Sequence, residues 1–85
     1  MDDKIISRLK KIIAEELDVN IRVEDIDENA SLFEEGLGLD SVVIVELITL
    51  IEKHFQFQFS EEELGMEQFR NLRTIARVVS DHQAQ

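Results

Sequence analysis

The sequence predicts an all-α fold, and three observations support that prediction. Apolar residues recur at the 3.6-residue spacing of an amphipathic helix in three separate stretches. Proline is absent and glycine occurs three times, so few residues in the chain interrupt a helix. No stretch shows the sustained alternation that is typical of a half-buried strand. We expect residues 1–85 to form one domain, a four-helix bundle with three longer helices and a short third helix.

The first helix is predicted over residues 2–17. Its apolar residues fall on one arc of a helical projection, whereas most of its charged residues lie outside that arc. We therefore expect the arc to face the core of the bundle. The apolar positions are Ile5, Ile6, Leu9, Ile12, Ile13 and Leu17.

A long connection, residues 18–40, separates the first two helices. Loops of this length are uncommon in compact domains and usually serve a function. Gly36 and Gly38 permit backbone angles that a side chain disfavours. We expect the loop to present Ser41 to solvent, while its apolar residues hold it across the helices. These residues are Ile21, Val23, Ile26, Leu32, Phe33, Leu37 and Leu39.

The second helix is predicted over residues 41–55 and has two distinct faces. At 100° per residue, the core face contains Val43, Ile44, Leu47, Ile48, Leu50, Ile51 and Phe55. The opposite face carries Ser41 and an apolar strip with acids beside it: Val42, Val45 and Thr49, flanked by Glu46 and Glu52. An apolar strip bordered by charge is typical of a protein-binding surface. Chance placement of these residues, or burial of the strip under the loop, is the alternative.

The last third of the chain predicts a linker and two further helices. Phe55, Phe57 and Phe59 alternate with glutamine, but one isolated strand would have nothing to pair with, so we interpret them as a linker that plugs the core. The capping-box sequence at residues 60–63 predicts a short third helix that ends near Gly65 or one to two residues later. Asn71 should cap a last helix. The apolar face of that helix contains Leu72, Ile75, Ala76 and Val79.

Negative charge is concentrated in the middle of the chain. The formal net charge is −10, and residues 21–67 hold thirteen acids but only two bases, Arg22 and Lys53. Such a field repels nucleic acid and anionic lipid and attracts basic protein surfaces, although solubility alone is the simpler explanation.

Three arginines cluster towards the end of the chain: Arg70, Arg73 and Arg77. They form either a solvated face that pairs with acids or a second docking patch.

Several classes of protein are excluded or disfavoured by composition. Cysteine is absent, so a disulfide framework or a Cys-based zinc site is impossible and any thiol chemistry requires an added group. The N-terminus is acidic where a signal peptide is basic, and the longest apolar run, residues 42–45, is far too short to span a bilayer. We expect a monomeric cytoplasmic protein that binds neither nucleic acid nor membrane.

Neither a catalytic site nor a metal site is predicted. His54 lies thirteen residues beyond Ser41 on the same helix, about 20 Å away along the axis, and His82 lies near the end of the chain. Neither histidine is therefore placed to activate the serine, and we predict no enzyme activity. Residues 25–29 imitate the start of a calcium loop, but Ala30 and Gly36 occupy the positions that require glycine and glutamate.

Around Ser41 the chain resembles the acyl carrier protein family, whose attachment motif reads Gly-x-Asp-Ser followed by a small or medium apolar residue. The motif here is Gly38-Leu39-Asp40-Ser41-Val42. The resemblance covers nearly the whole chain. It includes an amphipathic first helix, a long loop that ends in residues 31–41, an apolar second helix, a short acidic third helix and an apolar last helix.

The resemblance implies that Ser41 bears 4′-phosphopantetheine through a phosphodiester. A phosphopantetheinyl transferase would install it from coenzyme A, using magnesium. The arm would carry acyl groups as thioesters for fatty-acid, polyketide or related specialised biosynthesis. Partner enzymes of the family offer basic surfaces to the second helix, which implies a docking surface of Asp40, Val42, Val45, Glu46, Thr49 and Glu52.

Two alternatives remain on the sequence. Aminoacyl and peptidyl carriers use the same modified serine, and an unmodified acidic adaptor would use the apolar strip to bind a basic partner. The chain also departs from the family pattern, because Val42 stands where leucine is most common, and Lys53 and His54 dilute the acid usual near the end of the second helix. These departures leave the attachment chemistry intact and suggest a specialised carrier.

Overall fold

The computed structural model describes residues 2–17, 19–33, 36–65, 67 and 69–83. Within these ranges the chain forms three α-helices and two 3-10 turns, without a strand: α1 (Asp2–Glu15), η1 (Val23–Asp25), α2 (Ser41–Phe55), η2 (Glu62–Leu64) and α3 (Leu72–Gln83). The all-α class is confirmed. Parts of three predicted features lie outside the described residues. They are the start of the loop at Asp18, Glu34 and Glu35 in the loop segment 31–41, and Met66 as a possible end of the third helix.

Each α-helix buries the face that its apolar spacing predicts. The fully or nearly fully buried positions are Ile6, Leu9, Ile12 and Ile13 in α1, Ile44, Leu47, Ile51 and Phe55 in α2, and Leu72, Ile75, Ala76 and Val79 in α3. Burial of one such large side chain contributes roughly 1.5–3 kcal/mol, so these faces supply most of the stability. Val43, Ile48 and Leu50 pack half-buried at the edge of the core.

The predicted helix boundaries are correct for α2, whereas α1 ends at Glu15, two residues early. The amides of Glu16 and Leu17 both donate to the carbonyl of Ile12, at 2.9 and 3.2 Å, so the last turn widens and closes the helix. At α3, the Asn71 Oδ1 atom accepts the amide of Thr74 at 2.9 Å, which confirms Asn71 as the N-cap.

The predicted third helix is reduced to the single turn η2. Its capping box forms, because Ser60 Oγ accepts the amide of Glu63 at 3.3 Å and Glu63 Oε1 accepts the amide of Ser60 at 2.9 Å. The backbone bonds, however, span three residues, as from the amide of Leu64 to the carbonyl of Glu61. Gly65 is extended, with φ −70° and ψ 161°, and ends the turn.

Most of the apolar residues that were predicted to hold the connection between α1 and α2 do pack into or against the core. Ile26, Leu32 and Leu39 are buried, whereas Val23 is 36% exposed, so its predicted role is wrong. Val23 opens the exposed turn η1, which buries none of its residues. The remaining apolar residues of the loop pack half-buried against the core: Ile21, Phe33 and Leu37.

Backbone geometry explains the two glycines of this loop. A side chain at Gly36 would place its Cβ atom 1.9 Å from the carbonyl oxygen of Ser31, and Gly38 has a φ of +76°. The amide of Leu39 donates to the carbonyl of Leu32 at 2.9 Å, so the segment folds back on itself just before α2 begins.

The phenylalanine-rich linker plugs the core as predicted. Phe55 and Phe59 are buried, and Phe57 is half-buried against them. The rings of Phe57 and Phe59 meet edge to face with centroids 4.7 Å apart. None of the described helices combines the length and apolar character needed to cross a bilayer.

Candidate functional site

Ser41 is the first residue of α2 and its side chain is exposed. Two preceding residues fix its position. Leu39 is buried in the core, and Asp40 adopts an extended conformation in which its Oδ1 atom accepts the amide of Val43 at 2.9 Å. An apolar anchor and a helix cap therefore hold the serine hydroxyl in the open, as the sequence predicted.

The start of α2 suits a phosphate ester on Ser41. Asp40 already occupies the amide of Val43, whereas the amides of Ser41 and Val42 have no partner among the described residues. Free amides at the positive end of a helix dipole are a common binding site for phosphate. The exposure of the hydroxyl leaves room for a long substituent. These residues therefore fit a phosphodiester-linked arm.

The apolar strip beside Ser41 is open to solvent. Val42 is 74% exposed and Val45 is 61% exposed, so burial under the loop is excluded. Thr49 is also exposed, and its hydroxyl donates to the carbonyl of Val45 at 3.2 Å. Glu46 is exposed beside them. The strip thus lies exposed on the same helix face as Ser41, as the helical projection predicts.

Glu52 differs from the other residues of the expected docking surface. Its side chain is half-buried, and its Oε2 atom accepts the amide of Phe59 at 2.9 Å. It lies roughly 17 Å along the helix from Ser41. Glu52 therefore holds the linker in place, a contact that the helical projection could not anticipate.

A pocket of about 340 Å³ opens beside Ser41. This volume is at the lower end of the range of small-molecule pockets. The lining residues that the structure describes are Phe33, Ser41, Ile44, Val45, Ile48, Leu64, Gly65 and Phe69, and none of them carries a charged side chain. Sequence reasoning did not place Leu64, Gly65 and Phe69 here, although an exposed leucine in an acidic turn, 43% accessible at Leu64, is an unusual feature.

Neither histidine is available to Ser41. The Nε2 atom of His54 pairs with the carboxylate of Glu16, and that of His82 lies 2.9 and 3.0 Å from the two carboxylate oxygens of Glu63. Each ring is thus committed to a glutamate elsewhere. In the described ranges, no group of three or more metal-binding side chains is assembled.

The pairing of Glu63 affects its ionisation. A hydrogen bond from the backbone amide of Ser60, followed by the hydrogen bond with His82, lowers the pKa of Glu63 below its ordinary value. Both contacts favour the charged form of the Glu63 carboxylate. The contact with His82 also joins η2 to α3.

The arginine cluster is partly explained by pairing with the loop. The Arg73 Nε atom donates to Asn29 Oδ1 at 2.7 Å, and its Nη2 atom lies 3.7 Å from Glu28. Glu28 also accepts a hydrogen bond from the Lys10 ammonium at 2.8 Å, and this bond is the main reason that the pKa of Glu28 is lowered. Arg70 and Arg77 are exposed. Arg73 therefore ties the loop to α3, and Lys10 ties it to α1.

Known proteins share both the sequence signature and the fold. The family model for the phosphopantetheine attachment site matches residues 7–79. Among solved structures, the chain is similar to the holo acyl carrier protein of Nitrosomonas europaea, with a TM-score of 0.78 and 22% identity over 94% of this chain and 96% of that chain. At this identity the match shows the fold.

Two further matches come from complexes of a Bradyrhizobium japonicum glycine:[carrier protein] ligase. One is the complex with glycylated carrier protein, with a TM-score of 0.65 and 28% identity over 89% of this chain and 95% of that chain. The other contains the engineered ligase, the carrier protein from Agrobacterium tumefaciens and ATP, with a TM-score of 0.72 and 24% identity over 88% and 96%. The coverage indicates that the matched chains are the carrier proteins.

Proposed function

Because the chain belongs to the family of phosphopantetheine-attachment domains, we propose that Ser41 bears the arm and that the arm carries acyl groups. Members of this family are carriers and have no catalytic activity of their own. The cofactor is 4′-phosphopantetheine, held covalently, and its terminal thiol forms thioesters. The arm thus supplies a thiol to a chain that contains no cysteine.

The observation that carries the proposal is the position of one hydroxyl. Ser41 is exposed at the first position of α2, behind the Asp40 cap, and it lines the apolar pocket. An arm attached there can extend into solvent towards an enzyme, while its cargo can fold back into the protein. The free amides of the first turn would orient the phosphate.

The lining of the pocket favours an acyl cargo for fatty-acid, polyketide or related biosynthesis. Its lining includes the apolar side chains of Ile44, Ile48 and Phe69, and none of the lining residues that the structure describes is charged and able to pair with an ammonium. Burial of an unpaired charge is costly, whereas each buried methylene contributes about 0.8 kcal/mol. A short acyl chain is therefore the cargo that this pocket can stabilise.

A second candidate is an aminoacyl carrier. It is favoured by the 28% identity to the carrier chain in the complex described as containing glycylated carrier protein. A glycyl group is too short to use the pocket, so such a carrier would leave the pocket empty of cargo. The two candidates share the attachment to Ser41 and differ in the group that the thiol of the arm carries.

Partner enzymes are proposed to dock on the open face of α2. The exposed apolar residues Val42, Val45 and Thr49 would supply contact area, and Asp40 and Glu46 would attract basic groups on the partner. A phosphopantetheinyl transferase is the first of these partners. Glu52 is placed at the edge of the proposed docking surface, because its carboxylate also accepts the amide of Phe59 in the linker.

Incubation with coenzyme A, magnesium and a promiscuous transferase tests the attachment site. We expect a mass gain of one phosphopantetheine in the wild type and no gain in Ser41→Ala. The control is Ser7→Ala, which removes an exposed hydroxyl from α1 and should keep the full gain. A gain that persists in Ser41→Ala would place the arm elsewhere. The absence of any gain in a folded wild type would favour the unmodified adaptor.

Loading the holo protein with an octanoyl or a glycyl group tests the cargo. We expect the octanoyl group, but not the glycyl group, to shift the methyl resonances of Ile44 and Ile48. If neither group shifts them, the pocket does not hold cargo. Selective loading of glycine by an aminoacyl ligase would then favour the second candidate.

A further inference from the structure

A chain of aromatic contacts links the pocket beside Ser41 to the end of α3. Phe69 lines the pocket, and its ring meets that of Phe59 with centroids 5.2 Å apart. Phe59 in turn contacts Phe57 at 4.7 Å. Phe57 stacks on the ring of His82, with centroids 4.4 Å apart and planes 25° from parallel. His82 therefore packs against the aromatic groups that support one wall of the pocket.

The same histidine also contacts η2, which supplies a second part of the pocket wall. Its Nε2 atom lies between the two carboxylate oxygens of Glu63, at 2.9 and 3.0 Å. Glu63 directly precedes Leu64 and Gly65, which line the pocket on the side of η2. The contact spans nineteen residues of sequence, so it fixes the turn to a distant helix.

The turn η2 needs such a support. It is three residues long, buries none of them, and has only the short-range bonds of a 3-10 turn. Leu64 is 43% exposed, so its own packing holds it weakly. Among the described residues, His82 is the side chain outside the capping box that bonds to η2.

We propose that His82 is a positioning residue for the cargo pocket. By pairing with Glu63 and stacking on Phe57, it keeps Leu64 and Gly65 against the pocket and so controls how well a tethered chain is retained. This inference rests on the proposed function for the role of the pocket, but the positioning of η2 by His82 is testable without any cargo.

The molecule supplies a matched control in its other histidine. His54 also pairs with a glutamate, Glu16, and its side chain is 30% exposed, against 25% for His82. It lies in the last turn of α2 and lines no part of the pocket beside Ser41. Loss of His54 should therefore remove a comparable histidine–glutamate contact without freeing η2.

Amide hydrogen exchange on the unmodified protein tests the positioning. We expect His82→Ala to accelerate exchange at Glu63 and Leu64, whose amides bond within the turn, by about fivefold to tenfold. His54→Ala should leave those amides unchanged. His82→Gln should restore most of the protection, because its amide nitrogen can donate to Glu63 in place of the ring nitrogen. Unchanged exchange in His82→Ala, or equal acceleration in His54→Ala, would overturn the proposal.

If His82→Ala fails to fold, the variant Glu63→Gln tests the same contact through its other partner. Glutamine preserves the capping box but removes the charge that faces His82, so exchange at Leu64 should again be faster than in the wild type. Wild-type exchange rates in this variant would contradict the proposed role of the pair.

The octanoyl-loaded protein tests the consequence for cargo. In the wild type and His54→Ala, the methyl resonances of Leu64 should shift on acylation, and in His82→Ala this shift should be lost. If the wild type shows no shift while His82→Ala still accelerates exchange, the cargo proposal fails and the positioning role stands. If the wild type shifts and His82→Ala shifts equally, the positioning role fails and the cargo proposal stands.

Discussion

The two ends of α2 differ in how completely their side chains are engaged. At the N-terminal end, Val42 and Val45 are 74% and 61% exposed, and Ser41 is open to solvent. At the C-terminal end, Phe55 is buried, the Arg8 guanidinium lies 4.8 Å from the centre of its ring, and the Gln83 side chain donates to its carbonyl at 3.0 Å. One end is free to meet partners and the other is tied to the rest of the bundle.

The tied end includes more than Phe55. Glu52 accepts the amide of Phe59 at 2.9 Å, and His54 pairs with Glu16 of α1. Gln56 then ends the helix in a left-handed conformation, with φ 57°, and its amide donates to the carbonyl of Glu52. The C-terminal end of α2 is thus joined by several side-chain contacts to other parts of the bundle, whereas the exposed residues around Ser41 are available for chemistry and recognition.

The largest predicted difference between the two ends concerns stability. Phe55→Ala should lower the free energy of unfolding by about 3–5 kcal/mol, because it leaves a cavity and removes the ring beneath Arg8. Val42→Ala should change it by less than about 0.5 kcal/mol, since the side chain is exposed. Urea denaturation measures both. Similar losses in the two variants would show that the ends are not energetically distinct.

Asp40→Ala probes the helix cap at the open end. Loss of the bond to the amide of Val43 should cost about 1 kcal/mol, the usual value of an N-cap. Asp40→Asn should retain most of this stability, because asparagine caps equally well, yet it should slow modification by a basic transferase. Thermal melts and modification rates separate the two effects. If Asp40→Asn were as unstable as Asp40→Ala, charge rather than capping would hold this end.

The features of α2 that depend on nearby sequence were predictable. Its bounds and its buried face follow from 3.6-residue spacing, and the exposure of Ser41 was expected from the long loop that ends directly before the helix. The same reasoning placed Glu52 on the open face. It could not show that the chain returns at Phe59 and binds that carboxylate, because a helical projection contains no tertiary contacts.

The pocket depended on such long-range contacts and was missed. Leu64 and Phe69 reach it from more than twenty residues beyond Ser41, through the path of the linker and η2. The capping box at residues 60–63 formed as predicted, but a cap only initiates a helix, and extended Gly65 stopped this one after a single turn. Val23 was misplaced because its apolar character alone does not tell whether a turn faces the core.

Acid should destabilise the protein by protonating its paired carboxylates, Glu63 and Glu28. Folding lowers the pKa of Glu63, through Ser60 and His82, and that of Glu28, through Lys10. Below the ordinary value of 4.5 the unfolded state therefore binds more protons, and stability should fall as the pH drops through the lower folded values. Melting temperatures from pH 6 down to about pH 3 measure this loss. Glu63→Gln should show a shallower decline, and an unchanged decline would remove Glu63 as a contributor.

The smallest predicted effect is that of salt, which acts on the acidic surface around the open end. The residues between 21 and 67 carry a net negative charge, and the domain has a Cα radius of gyration of 11.7 Å. The Debye length is about 10 Å at 0.1 M salt, so repulsion across the domain is screened while contacts near 3 Å persist. Added salt or magnesium should therefore stabilise the protein. A gain of about 0.5 kcal/mol would raise the melting temperature by roughly 2–4 °C. A flat or falling series would mean that close ion pairs such as those of Lys10 and Arg73 outweigh the repulsion between the acids.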